Sequence, residues 1–116
     1  AQALGEAVTQ VDPSLKVMGL AGSIMLDVFD QMGLSIMAEA FADRTYEADG
    51  SLRNRKYDDA LITEPEKAAK QTEMMVSGNI IAVDGSEVAI NAQTLCIHSD
   101  TPNAVAIAKA VNKVIS

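Results

Sequence analysis

The sequence predicts an α/β domain with a mostly parallel sheet, and three patterns lead to this prediction. Helix-like and strand-like segments alternate in the order α, β, α, β, long loop, α, β, β, β, α, which is typical of right-handed βαβ units. A continuous apolar run covers residues 34–42, as expected for a strand buried on both faces of a parallel sheet. Charged residues follow this run at once, where α/β folds commonly place functional groups.

Length and composition narrow the class of protein. The 116 residues suit one domain rather than two, and an apolar share of 48% is enough for a core. A net charge of −7 argues against nucleic acid and anionic membranes as partners. No apolar stretch approaches the roughly 20 residues of a membrane-spanning helix. The single cysteine, Cys96, cannot form an internal disulfide, so a reducing cytoplasm is the expected location.

The first half is expected to hold two helices and two strands. Residues 1–11 have a helical apolar pattern with Leu4 and Val11 on its inner face, and residues 16–21 form a short strand. Because no capping side chain precedes the first helix, we expect the chain to belong to a longer protein. Gly22-Ser23 begins the second helix. Such a turn can bind an anion through backbone N–H groups, although Ser23 as a plain N-cap is the simpler interpretation.

The second half is expected to begin with a capped helix. Thr63 suits the N-cap, and Glu66 would complete a capping box. Residues 80–83 and 87–90 are predicted to form short strands on either side of a turn at Asp84-Gly85-Ser86.

A buried strand at residues 94–98 comes next. The final helix is expected to have Pro102 in its first turn, with Thr101 or Asp100 as its cap.

The polar loop after residue 42 is the most informative stretch. Asp49-Gly50 predicts a turn, and the loop is longer than an ordinary connector, which favours a function. A solvated loop with surface ion pairs explains the composition equally well. Arg44 and Arg55 can each bind a carboxylate or phosphate through two parallel N–H hydrogen bonds. Alternatively, Arg44 pairs with Asp43 or with Glu39, an acid in an apolar run that needs a partner, and only holds the loop.

His98, the only histidine, is predicted at the end of a strand, two residues before Asp100. It can serve as acid, base or metal ligand together with Asp100, or it can simply bond to loop backbone. Because carboxyl ends of parallel strands meet at one edge, we expect it near Asp43 and Arg44. A zinc site would need ligands beyond His98, Asp43 and Asp100, so a divalent metal is left open.

Three segments together resemble a known family: VMGLAGS at 17–23, EAFADRTYEADGSLRNR at 39–55 and AVDGSEVAINAQTLCIHSDTPNAV at 82–105. Their order and spacing are similar to the C-terminal half of the LamB/YcsF lactam-utilisation family. The patterns FADRxYxxDGxLxxR and CxHxDTPxA are long and specific. Ser99 departs from the glycine that the family often has there.

The resemblance implies a fold and an activity. The fold would be part of an irregular barrel of strands and helices related to polysaccharide deacetylases, with residues 1–116 as the C-terminal half of one barrel domain and the N-terminal half absent. The activity would be that of an ATP-dependent 5-oxoprolinase, which opens the lactam ring of 5-oxoproline to L-glutamate. ATP would act through partner subunits B and C. The isolated chain is expected to be inactive and either to pair with its missing N-terminal half or to self-associate, with the strand at 34–42 as an adhesive open edge.

The resemblance also implies site residues, which adds to the interpretation based on strand ends. It implies catalytic roles for His98, Asp100 and Asp43. It implies substrate contacts for Arg44, Arg55, Tyr46 and Thr101. Two rival interpretations are a non-catalytic flavodoxin-like binding or regulatory domain and a half-barrel that serves only in assembly.

Overall fold

The computed structural model describes all residues 1–116 and contains four helices and five strands in the predicted order. No helix is both long and apolar enough to cross a membrane. The elements are α1 (Gln2–Val11), β1 (Lys16–Leu20), α2 (Ile24–Gln31), β2 (Ser35–Phe41), α3 (Pro65–Val76), β3 (Asn79–Ile81), β4 (Glu87–Ala89), β5 (Thr94–Cys96) and α4 (Ala104–Ile115).

The main sheet has three parallel strands in the order β1-β2-β5, and β3 and β4 form a separate antiparallel pair. The prediction of a mostly parallel α/β fold is therefore confirmed. The expectation that residues 34–42 form an open edge is wrong. Strand β2 is central because β5, far along the chain, pairs with its second side, so that Glu39 has Leu20 on one flank and Thr94 on the other.

The core is built mainly from aliphatic side chains, joined by Phe29, Tyr46 and Met75. One cluster surrounds Ala40 and a second surrounds Ala42, both fully buried on β2 or at its end. Gly19 lets α2 pack closely on β1, since a Cβ there would lie 2.8 Å from a methyl carbon of Leu26. On the opposite face of the sheet Met18 is 53% exposed, so the chain covers this face incompletely.

Helix α1 differs from its prediction in what it buries. The helix forms, but Leu4 is 59% and Val11 80% exposed. Its only buried residue is Gly5, where a Cβ would lie 2.5 Å from the Met32 sulfur. The helix contacts α2 through its least bulky position, and a Cβ there would require the Met32 side chain to shift.

Helix α3 begins one residue later than the capping box requires. Its N-cap is Glu64, which makes no side-chain capping bond, and Pro65 is the first helical residue. A residue before proline is kept out of the helical conformation, and Glu64 is extended at φ −94°, ψ 122°. Thr63 therefore cannot act as the N-cap with Glu66 three positions on.

Helix α4 also begins later than predicted, at Ala104. Asn103 is its N-cap in the left-handed conformation, with φ 64°, which asparagine tolerates better than most residues. The chain turns there, so Pro102 and Thr101 stay outside the helix. The Asn103 amide donates to the Thr63 carbonyl at 3.1 Å and joins the starts of α3 and α4.

Candidate functional site

The carboxyl ends of β2 and β5 bring Asp43 and His98 into direct contact. Asp43 is fully buried, and the His98 backbone N–H donates to its Oδ2 at 2.8 Å. The ring Nδ1 lies 3.1 Å from both carboxylate oxygens. The expectation that these two residues share one edge of the sheet is confirmed. The carboxylate beside His98 is Asp43, because Asp100 lies beyond the strand on an exposed turn.

The hydrogen bonds assign the histidine tautomer. An ionised carboxylate only accepts hydrogen bonds, so Nδ1 carries the proton toward Asp43 and Nε2 of a neutral ring keeps its lone pair. Phe41 stacks on the imidazole with ring centroids 5.6 Å apart and planes 12° apart. The ring is thus held at one edge and on one face, with Nε2 directed away from Asp43 and 22% of the side chain exposed.

Arg55 lies next to Nε2, the ring nitrogen of His98 that does not contact Asp43. Its Nη2 is 3.3 Å from Nε2 of His98, although the two residues are far apart in sequence. Arg55 is exposed, and the long loop folds back far enough to bring it to the end of β5.

Arg44 is a buried cation with incomplete hydrogen bonding. It is only 9% exposed, its Nη2 donates to the Arg53 carbonyl at 2.8 Å, and its buried Nε has no partner. Burial and the nearby Arg55 charge lower the pKa of Arg44, while Asp43 acts in the opposite direction. Arg44 forms no ion pair with Asp43 or Glu39 within 4.0 Å, so the alternative pairing does not occur.

Arg53 organises the loop, although it was not among the predicted site residues. Its Nε bonds Asp59 and its Nη1 bonds Glu47, both at 2.7 Å. Its guanidinium lies 4.1 Å above the Tyr57 ring centre. The two carboxylates raise the pKa of Arg53. In a loop with many charges of both signs, nothing in the sequence distinguishes this arginine from its neighbours.

Tyr46 and Thr101 lie inside the structure. Tyr46 is fully buried, and its hydroxyl accepts the Phe41 backbone N–H at 2.9 Å. Burial raises the pKa of Tyr46. Thr101 is 9% exposed and its carbonyl accepts from Ala104 at the start of α4. Tyr46 thus supports the end of β2 and Thr101 the start of α4, and a direct role of either in substrate contact stays a prediction.

Ser23 acts as a helix cap. Its Oγ accepts the Leu26 backbone N–H at 3.3 Å, as the simpler interpretation proposed. It also borders a cavity of 340 Å³ that Asp49 lines from the other side. A carboxylate there disfavours an anion, and anion binding at Ser23 stays a prediction.

Glu39 makes no ion pair within 4.0 Å, and the expectation that this acid needs a basic or hydrogen-bonding partner stays a prediction. Burial, followed by the charges of Glu39 and Asp43, raises the pKa of Cys96. The thiol is therefore kept protonated and is a poor nucleophile. No group of three or more His, Cys, Asp and Glu residues is placed to hold a metal ion.

A buried Asp–His pair with two arginines beside it, at the carboxyl edge of a parallel sheet, has the layout of a ligand site in an α/β enzyme. The model of the LamB/YcsF family matches residues 1–116. The chain belongs to that family, and the resemblance seen in its motifs is confirmed.

Named relatives and a solved structure agree with this assignment. The chain is 49% identical over 112 residues to the A subunit of 5-oxoprolinase from Chloroflexus aggregans, covering 96% of this chain and 44% of that protein. It is 49% identical over 111 residues to the protein of the same name from Histophilus somni, covering 95% and 45%. A crystal structure of the lactam utilization protein from Thermus thermophilus matches with a TM-score of 0.88 and 38% identity, covering 98% of this chain and 45% of that one. The chain thus spans a little under half the length of these relatives.

Proposed function

We propose that this chain is the C-terminal half of a 5-oxoprolinase subunit, in which Asp43 and His98 move protons while the lactam ring of 5-oxoproline is opened to L-glutamate. The observation that carries the proposal is the fully buried Asp43 carboxylate, which holds both the backbone and the ring N–H of His98. This arrangement leaves Nε2 as a proton acceptor that faces away from the core. Support for the substrate class comes from the names of the relatives.

The proposed reaction is the hydrolysis of a cyclic amide. Nε2 of His98 takes one proton from water while the water oxygen bonds to the lactam carbonyl carbon. The carbon–nitrogen bond then breaks, and the ring nitrogen receives the proton from Nε2 to become a free amine. Asp43 stabilises the imidazolium between these two transfers, because its carboxylate accepts the Nδ1 proton throughout.

The two arginines are proposed to hold the substrate carboxylate. The exposed guanidinium of Arg55 lies 3.3 Å from Nε2 of His98, and Arg44, whose pKa the Arg55 charge lowers, has an unpartnered Nε–H group. An anion between them would offset the repulsion of two neighbouring cations. A guanidinium can bind a carboxylate through two parallel hydrogen bonds, which would fix the lactam ring relative to Nε2.

ATP is proposed to act through partner subunits B and C, where it would activate the lactam carbonyl before hydrolysis. The sequence contains no glycine-rich phosphate-binding loop of the P-loop type. The relatives are each named as one lettered subunit of 5-oxoprolinase, which supports an assembly of several different chains.

The incompletely covered face of the main sheet supports a further part of the proposal. We propose that β1, β2 and β5 form a segment of an irregular barrel, related to polysaccharide deacetylases, that the N-terminal half closes. The exposure of Met18 on that face and the share of the relatives that the chain spans both agree with this. On its own, the chain would self-associate and lack activity.

His98→Gln in the full-length protein, assayed with its partner subunits, tests the proposed function. Formation of glutamate from 5-oxoproline is expected to fall by roughly 10²- to 10⁴-fold, the usual contribution of general acid–base catalysis. Circular dichroism would verify that the variant is folded. Wild-type turnover by a folded His98→Gln protein would overturn the proposal.

A further inference from the structure

We propose that Arg55 masks the His98 base in the absence of ligand and releases it only when its guanidinium binds an anionic group. The inference rests on the proposed function and deepens it, because it makes Arg55 the residue that selects lactams bearing a carboxylate. Its basis is that the Arg55 Nη2 lies 3.3 Å from the Nε2 lone pair, the atom that must accept a proton.

The alternative partners of the His98 ring are already fixed. Asp43 holds Nδ1 and the backbone N–H, and Phe41 covers one face. Nε2 is therefore the only ring position at which a ligand can change the hydrogen bonding. While Arg55 donates to it, the lone pair is engaged and cannot take a proton from water.

The bond between Arg55 and His98 is suited to exchange. At 3.3 Å it is longer than a typical hydrogen bond, and its acceptor is neutral. The Arg55 side chain is exposed and makes no other side-chain hydrogen bond or ion pair. A carboxylate offers the same guanidinium two charge-assisted bonds, which are about twice as strong as neutral ones.

Arg44 determines the direction of that exchange. Its guanidinium is anchored on the Arg53 carbonyl, is 9% exposed and keeps an unpartnered Nε. An anion that reaches Arg44 also attracts Arg55, because it lowers the repulsion between the two cations. A neutral lactam provides no such attraction, so Arg55 stays on Nε2 and the base remains masked.

The test uses the full-length protein with ¹⁵N-labelled histidine, in which the His98 signal is assigned by its loss in His98→Gln. Adding 5-oxoproline to the wild type should move the Nε2 resonance toward that of a ring without a donor at this nitrogen. Adding 2-pyrrolidinone, the same ring without the carboxylate, should not. Ligand-free Arg55→Ala should already show the unmasked resonance, whereas Lys56→Ala, which removes the neighbouring exposed cation, should match the wild type.

Turnover provides the second readout. The preference for 5-oxoproline over 2-pyrrolidinone, as a ratio of kcat/KM values, should fall about tenfold or more in Arg55→Ala and stay unchanged in Lys56→Ala. The inference would be overturned if ligand-free wild type and ligand-free Arg55→Ala had the same Nε2 resonance. It would also be overturned if 5-oxoproline and 2-pyrrolidinone shifted the wild-type Nε2 resonance equally. Neither result depends on whether His98→Gln is active, so failure of the masking role and failure of the proposed function are distinguishable.

Discussion

Two turns of this molecule have the same tripeptide and nearly the same geometry, yet only one belongs to the candidate site. Asp49-Gly50-Ser51 lies in the long loop, and Asp84-Gly85-Ser86 joins β3 to β4. In each, the serine N–H donates to the aspartate Oδ1 at 2.9 Å. The glycine φ angles are 87° and 88°. The Glu47 N–H donates to the Ser51 carbonyl, and the Ala82 N–H donates to the Ser86 carbonyl in the same way. Residues 47–51 and 82–86 therefore form the same local structure.

The difference lies in what flanks each turn. Before the loop turn stands Tyr46, which is fully buried, whereas the matching residue before the hairpin turn is Ile81, which is 46% exposed. The loop around its turn contains Arg44, Arg53 and Arg55, and residues 79–89 contain no basic residue at all. Short-range chemistry sets the turn, while long-range packing decides whether it carries a site.

The two regions also touch. The Val83 N–H donates to the Tyr46 carbonyl at 2.9 Å, and a Cβ on Gly50 would lie 3.9 Å from a Val88 methyl carbon. The hairpin is therefore a support for the loop. Its residues provide matched controls in which the local change is the same and the site is absent.

Asp43→Asn should have the largest effect. The asparagine amide can donate to Nδ1, which favours the tautomer with Nε2 protonated and removes the base. Turnover of 5-oxoproline by the full-length protein with its partners should fall by roughly 10²- to 10⁴-fold. Asp84→Asn makes the same chemical change in the hairpin and should keep wild-type turnover. Equal losses in both variants would mean that the loop and the hairpin do not differ in function.

Arg44→Ala is expected to cause the second-largest loss of turnover. Losing a charge-assisted contact costs about 1.5–3 kcal/mol, so kcat/KM should fall roughly 10- to 100-fold. Arg44→Lys should not restore it fully, because an ammonium group cannot form the paired bonds of a guanidinium. Lys70→Ala on α3 serves as a control for the loss of one positive charge. Unchanged kinetics in folded Arg44→Ala would reduce Arg44 to a support for the loop through the Arg53 carbonyl.

Much of the fold could be predicted because it depends on local patterns. The apolar run that becomes β2 and the Asp-Gly turns are examples. The starts of α3 and α4 could not, because each depends on a backbone choice at one residue, Glu64 before proline and Asn103 in the left-handed region.

The candidate site likewise has one part that could be predicted from the sequence and one part that could not. Strand order brings Asp43 to His98, and the sequence was sufficient to expect this. The role of Arg53 depends on how the loop folds back onto Glu47 and Asp59. No periodicity or motif encodes that path.

Tyr46→Phe should mainly lower stability. The hydroxyl accepts the Phe41 N–H in a buried position, and an unsatisfied buried donor costs about 1–3 kcal/mol. Urea unfolding of the full-length protein should show a loss of that size. Tyr57→Phe, in which the ring is 45% exposed and its hydroxyl makes no hydrogen bond to the protein, should be close to neutral. Equal stability of the two variants would mean that the Phe41 N–H finds another partner when the hydroxyl is removed.

The smallest effect is expected from the two turns themselves. The Ser51 and Ser86 hydroxyls, followed by their backbone N–H groups, hold the pKa values of Asp49 and Asp84 below the ordinary 3.8. A carboxyl whose pKa is lowered by folding stabilises the protein above its unfolded pKa, and that stabilisation is lost as the pH falls through the folded value. Asp49→Ala and Asp84→Ala should therefore each be slightly less stable than wild type at pH 6, with a deficit that shrinks below about pH 4. Urea unfolding at pH 6, 4 and 3 would measure this.

The free energy of unfolding should respond alike in both variants because the local bonds are the same. Only Asp49→Ala should reduce turnover, because its turn lies within the loop that holds Arg44 and Arg55. A deficit that grows on acidification would contradict the assigned hydrogen bonds, and an equal loss of turnover in Asp84→Ala would show that the hairpin acts on the site as directly as the loop does.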